Sequence, residues 1–372
     1  MKIKTIISQL SFFALSLALL QGCASKPNTA KNAEPLSLQK IYQDRYFTSE
    51  RGTFFRWLDD GSGYTVLESR NLEKEDANDD SPDIKGNDIV FYNVDGSGRK
   101  VLVAFESLTP AGKTKPLGID DYIWSDDGKW VLIYTNSKKV WRSRSRGDYF
   151  LLNLEDKSLQ QLGPDSVKTA FNNLPEDDLP EEQNKDTKKV DEHPDASRLM
   201  FAKFSPDSQK IAYVYKNNLY YQDIGSDKVH TLTTDGNDII INGNFDWVYE
   251  EELSIRDGFR WSPDSKKIGY WQLDTSGVKE FIMINNTDTL YPTLTKFPYP
   301  KAGEVNSAVR VGVVHLDNQQ TQWVDLGGDN RDRYIPRINW ANGNELLIQD
   351  VNRPQQANKL WLFNLADNAQ TQ

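Results

Sequence analysis

Hydrophobic positions in this chain gather into short strand-like runs, and the same kind of polar turn introduces one run after another. The unit is an aromatic residue, a turn containing Asp or Gly, and an apolar segment, starting at Trp57, Trp124, Phe204 and Trp261, with a degenerate fifth copy at Trp340. Pro presets φ and Asp or Gly tolerates the turn conformation, so each unit reads as a tight hairpin: the aromatic closes one strand and apolar residues such as Ile211-Ala-Tyr-Val-Tyr215 leave along the next. Second hairpins follow, at Asn217-Asn218 and after Tyr149, which gives about four strands per unit, the make-up of a propeller blade. The starts fall 67, 80, 57 and 79 residues apart. Regular propeller repeats run about 40 to 50 residues, so blades here carry insertions or lack the signature, and five to six blades are expected. Insertions are read at residues 167–197, polar and broken by proline, and at 73–87. Sixteen Tyr, sixteen Phe and ten Trp suit pleated, half-buried strands, and the fold class is all-β, a β-propeller.

The amino terminus adds a compartment. Lys2 and Lys4 precede an apolar run from about Ile6 to Leu20, as in a secretory signal, and Leu20-Gln21-Gly22-Cys23 is similar to a bacterial lipobox. This reading makes residues 1–22 a signal peptide, Cys23 the lipidated residue, 23–36 a polar tether and 37–372 the folded domain. With no aspartate after Cys23, the expected address is the periplasmic face of the outer membrane. Cys23 is the sole cysteine, so a disulfide within the chain is excluded. The formal charge is −10, and removal of residues 1–22, which hold Lys2, Lys4 and no acid, leaves −12. Nucleic acid is therefore not an expected partner.

The segment Asp246-Trp247-Val248-Tyr249-Glu250-Glu251-Glu252 carries the candidate chemistry. A glutamate triplet is ordinarily a solvated acidic turn, but Phe245, Trp247 and Tyr249 beside it are out of place in water. An ammonium offers three N–H donors and no acceptor, and adjacent carboxylates supply the oxygens it needs. A peptide amino terminus is the expected cation.

This segment, followed by Trp261-Ser262-Pro263 and by Pro298-Tyr299-Pro300-Lys301-Ala302-Gly303-Glu304-Val305-Asn306, resembles the dipeptidyl peptidase IV family, more weakly from about Leu36 to the end. The resemblance implies an eight-bladed propeller covering an α/β-hydrolase domain. It implies that Glu251 and Glu252 bind the substrate's free α-amino group, and that Arg142, after Trp141, binds near the substrate carbonyl and helps hold the carboxylates. Spacing alone reads Arg142, Arg144 and Arg146 differently, as alternate positions of a strand facing solvent.

The family cleaves with a serine on a Gly-x-Ser-x-Gly elbow, and this chain has none. Gly61-Ser62-Gly63 and Gly96-Ser97-Gly98 read as turns, and His193, His230 and His315 stand near no serine in a recognisable arrangement. The expected function is therefore the amino-terminal, substrate-gating propeller of a serine exopeptidase that releases Xaa-Pro dipeptides, without catalytic residues of its own, with a homodimer among the expected assemblies and with the hydrolase domain and final blades expected beyond Gln372. The alternative is a non-catalytic periplasmic scaffold similar to the Tol-complex propeller, against which the glutamate cluster argues. No cofactor or metal is signalled, since no His/Cys/Asp cluster has ligand spacing and Asp126-Asp127-Gly128 is too short for a calcium loop.

Overall fold

The computed structural model describes residues 36–48, 55–72, 84–140, 142–172 and 198–372. The signal-like segment, Cys23, nearly all of the tether, Trp141 and His193 lie outside the described residues. The chain divides into two units, Met1–Thr53 and Phe54–Gln372. In the first, the described part contains one turn of π-helix at Gln39–Gln43 with no buried residue.

The second unit consists of consecutive antiparallel sheets. Sheet one is β1 (Phe55–Trp57), β2 (Gly63–Asn71), β3 (Lys85–Asn93) and β4 (Lys100–Val103); sheet two is β5 (Asp121–Trp124), β6 (Trp130–Val140), β7 (Ser143–Asn153) and β8 (Leu159–Gln161). Sheet three is β9 (Met200–Phe204), β10 (Lys210–Tyr215), β11 (Asn218–Asp223) and β12 (Val229–Thr231). Sheet four contains β13 (Ile240–Asn242), β14 (Phe259–Trp261), β15 (Lys267–Asp274), β18 (Ala308–His315) and β19 (Thr321–Trp323), with β16 (Glu280–Asn285) and β17 (Thr293–Pro298) forming a separate hairpin. Sheet five is β20 (Arg333–Asn342), β21 (Glu345–Asn352), β22 (Asn358–Asn364) and β23 (Gln370–Thr371). Among the described residues there are thus five blade-like sheets, within the expected five to six.

Each repeated aromatic lies at or near the end of a strand, and in sheets two, three and four the turn after it has one chemistry. Ser125, Ser205 and Ser262 donate through Oγ to Asp127, Asp207 and Asp264 at 2.7, 2.5 and 2.6 Å, and each Oγ accepts the amide five residues on. Side-chain oxygens thereby satisfy backbone donors that a tight turn leaves exposed. Turns of neighbouring sheets are joined as well: the Asp127 amide donates to Ser208 Oγ, the Asp207 amide to Ser265 Oγ, and Lys267 Nζ to the Gly343 carbonyl.

Strand alternation explains how one sheet serves two neighbours. In β6 and β7, Val131, Ile133, Phe150 and Leu152 pack toward sheet one with Ile89 and Val103, while Leu132 and Leu151 pack toward sheet three with Ile211 and Tyr213. In β10, Ala212 and Val214 point the other way and meet Phe259, Ile268 and Tyr270 of sheet four. Trp271, Val311 and Val313 then pack on Ile338, Leu346 and Ile348 of sheet five. No such cluster among the described residues joins sheet five to sheet one, and Phe55, Trp57, Leu347 and Leu360 are exposed.

The smaller expected insertion is shorter than read, and the larger one begins with ordered structure. Residues 85–87 already belong to β3, where Gly86 lets the Phe105 ring approach its backbone, and residues 165–172 form helix α1 (Asp165–Asn172), which buries Val167 and Phe171. Residues 73–83 and 173–197 lie outside the described residues.

Candidate functional site

The glutamates sit on a detour inside a strand. β13 and β14 both pair with β15, Asn242 opposite Gln272 and Phe259 opposite Tyr270, so they are two halves of one inner strand. Between them the ladder is closed by Gly243, whose amide donates to the Trp271 carbonyl, and by Gly258, whose carbonyl accepts from the Trp271 amide; the Gly258 amide also bonds the Gly243 carbonyl at 3.0 Å. A Cβ on Gly258 would stand 2.4 Å from the Gly243 carbonyl carbon, and Gly243 has φ +70, so both positions need glycine.

Helix α2 (Trp247–Leu253) fills the detour. Asp246 caps it, accepting the Tyr249 amide at 3.2 Å and the Ser307 hydroxyl at 2.6 Å, and Ser254 ends it in the left-handed conformation. Burial pushes the Asp246 carboxyl above its ordinary value, with those two hydrogen bonds working in the opposite direction. Val248 and Tyr249 are buried, and the Tyr249 hydroxyl accepts the Ile335 amide at 3.1 Å, tying the helix to sheet five.

Successive helical residues are turned by about 100°, so the three glutamates cannot share one direction. Glu250 is buried: it accepts the Ser143 hydroxyl at 2.8 Å and pairs with Arg256 at 2.9 Å. Glu251 is paired through Oε1 with Arg142 Nε. Glu252 is exposed and makes no hydrogen bond or ion pair to a described residue, although its charge helps raise the Tyr334 hydroxyl. Arg256 also donates to Ser145 at 3.2 Å, and burial lowers its guanidinium despite Glu250 and Asp246. Arg146 is pushed down to about 10 by burial first and by Arg256 second. The next residue, Asp257, pairs with Lys203 of sheet three and, at 3.2 Å, with Arg260. The detour is therefore pinned to sheets two, three and five.

The spacing-based reading of the arginines as one solvent-facing row does not hold. Arg142 is largely exposed yet reaches Glu251, Arg144 donates to the Ser137 carbonyl and hydroxyl, and Arg146 is withdrawn from water. The Gly-Ser-Gly strings are turns, with the Ser62 and Ser97 amides bonded to Asp60 and Asp95. His230 meets Asp223 and His315 meets Gln322. A cavity of about 410 Å³ between the first strands of sheets three to five is lined by Lys203, Arg260, Trp261 and Trp340 and by no α2 glutamate. No cluster of three or more metal-ligating side chains exists among the described residues.

Residues 125–372 match the N-terminal region of dipeptidyl peptidase IV, two thirds of the chain and everything from sheet two's first turn onward. The chain belongs to the dipeptidyl peptidase IV family. Relatives include a probable dipeptidyl-aminopeptidase B of Aspergillus clavatus, 29% identical over 73% of this chain and 28% of that protein, and the inactive dipeptidyl peptidase 10 of Mus musculus, 28% identical over 64% and 27%. Among solved structures, dipeptidyl peptidase 4 of Porphyromonas gingivalis superposes with a TM-score of 0.70 at 26% identity, covering 91% of this chain and 42% of that one. The five sheets are blades of the family's β-propeller. The chain spans little more than a quarter of the length of those two curated relatives.

Sequence reading missed Ser143, Arg256 and Asp257. Each has a partner on another blade, Glu250 for Ser143 at 107 positions, Ser145 for Arg256 at 111 and Lys203 for Asp257 at 54, and nothing local marks them.

Proposed function

We propose that this chain is the peptide-recognising propeller of a dipeptidyl peptidase IV-like serine exopeptidase, in which Glu251 and Glu252 receive the free α-amino group of a peptide. The supporting observation is the division of labour on α2. Glu250 is committed to Ser143 and Arg256, whereas Glu251 keeps Oε2, and Glu252 both oxygens, without a hydrogen bond to a described residue. Those oxygens match an ammonium's donors, and Arg142 holds Glu251 while leaving its own guanidinium mostly in solvent, where a peptide carbonyl can reach it. Release of Xaa-Pro dipeptides then belongs to the complete protein, whose hydrolase domain receives a peptide held by its amino end.

Titration calorimetry on the full chain tests this with an Xaa-Pro peptide and its N-acetylated twin. The free amine should bind about tenfold or more tightly, consistent with a charge-assisted bond of about 1.5–3 kcal/mol, and Glu251→Gln/Glu252→Gln should erase the preference. Equal affinity for the two peptides in the parent chain would overturn the proposal.

We place the protein in the cell envelope on the strength of the lipobox-like Cys23, lipidated and outer-membrane anchored. Cys23→Ala should move it from the detergent phase to the aqueous phase of a Triton X-114 extract. The exposed apolar β16–β17 hairpin supports a homodimer. It also favours the second reading, a non-catalytic scaffold, which predicts partner binding that survives loss of Glu251 and Glu252.

A further inference from the structure

From the docking of α2 onto β7 we infer that Ser143 is a positioning residue: through Glu250 it sets the rotation of α2 about its axis and so aims Glu251 and Glu252 at the peptide amine. The inference rests on the proposed amine-binding role of those two glutamates. Neighbouring residues take neighbouring glutamates in opposite order, Arg142 just before β7 with Glu251 and Ser143 at its start with Glu250. Two such contacts about 100° apart around a helix fix its rotation, where one would leave it free to pivot.

The two contacts are not equally stiff. Arg142 is a long side chain, 78% exposed, with many rotamers, and it can follow Glu251 through a rotation of the helix. Ser143 is short, lies in a strand, and bonds a buried carboxylate at 2.8 Å, so it cannot follow. Arg256 lies on the far side of Glu250, and its second contact, to Ser145 two residues along the same strand, anchors the other edge of the carboxylate. Glu250 is thus read as the peg of the clamp and Glu251 and Glu252 as its jaws.

The test compares Ser143→Ala and Ser143→Thr in the full chain. Its readout is the ratio of dissociation constants for an N-acetylated and a free-amine Xaa-Pro peptide, with the thermal midpoint measured in parallel. Ser143→Ala removes the hydroxyl and leaves Glu250 paired with Arg256, so the fold should persist while the ratio falls about three- to tenfold, less than the full worth of a hydrogen bond to a charged group because Arg256 still holds Glu250. Ser143→Thr restores a hydroxyl on a residue that strands favour and should recover the ratio, which a merely structural role would not produce. A ratio unchanged in Ser143→Ala, while Glu251→Gln abolishes it, overturns the positioning role alone. A parent chain with no preference for the free amine overturns the amine-binding reading and this inference with it.

Discussion

Two excursions leave the fourth blade, one carrying the glutamates and one carrying a row of apolar side chains, and they differ in where their side chains find partners. The α2 detour turns inward and is held by charge: Glu250 to Ser143 and Arg256, Asp257 to Lys203 and Arg260, Asp246 to Ser307. The β16–β17 hairpin pairs only with itself in the sheet and exposes Phe281, Ile282, Met283, Ile284, Leu290, Tyr291 and Leu294. Ring contacts link the two, Trp247 against Tyr299 with centroids 4.3 Å apart, and Tyr299 in turn against Phe281 and Phe297 at the hairpin base. A segment whose polar groups are satisfied inside the molecule presents a fixed geometry to a ligand. One that leaves large apolar groups in water is suited to meeting another surface.

The comparison is broken most severely at the neck of the detour. Gly258→Ala places a methyl against the Gly243 backbone, so both the inner-strand ladder and α2 must shift, and unfolding in denaturant should show a loss of about 3 kcal/mol or more. Next comes Glu250→Ala, which strands the Arg256 guanidinium, 13% exposed, beside Arg146. A loss of about 2–3 kcal/mol is expected, largely relieved when Arg256→Met accompanies it; no relief would show that Arg256 has other support.

A smaller effect follows pH. The folded carboxyl of Asp246 titrates above the ordinary 3.8, so the folded state holds that proton more tightly than the unfolded chain does. Its contribution is fully present below 3.8 and is lost as pH rises through the folded value. Thermal midpoints of Asp246→Asn, which keeps a capping oxygen, should therefore gain on the parent as pH rises from about 4 toward neutrality. A parent midpoint that instead gains on the variant over that range would contradict the burial argument. The smallest change in stability, within about 0.5 kcal/mol, is expected for Ile284→Lys with Leu290→Lys on the hairpin, 61% and 92% exposed, while sedimentation shows weaker self-association; an unchanged sedimentation profile would remove the hairpin from the dimer proposal.

The repeated aromatics were legible, three of them through Ser-x-Asp turns, because each such turn is a local hydrogen-bond problem solved within six residues, and every repeated aromatic lies at or near the end of a blade strand. The split inner strand was not legible. β13 is three residues long and carries no alternation, and its continuity with β14 exists only through their shared partner β15. For the site, the family resemblance singled out Arg142, Glu251 and Glu252, and the structure brings the first two together and leaves the third exposed, bonded to no described residue. Aromatic flanks distinguished the triplet from a solvated run, but the inequality among the three glutamates follows from helical rotation and from partners on another blade. The apolar hairpin escaped notice because its strands read like any others, and only the tertiary structure shows that no other sheet among the described residues receives them.

The glycine neck has a consequence for how such a protein can change. Because Asn242 and Phe259 stay in register on β15 and the two glycines close the gap, the ladder runs on as though residues 244–257 had been spliced into an unbroken strand. Those residues behave as a cassette. A sequence of different length or chemistry could be grafted between Gly243 and Gly258, and the blade would carry a new recognition surface without a new fold.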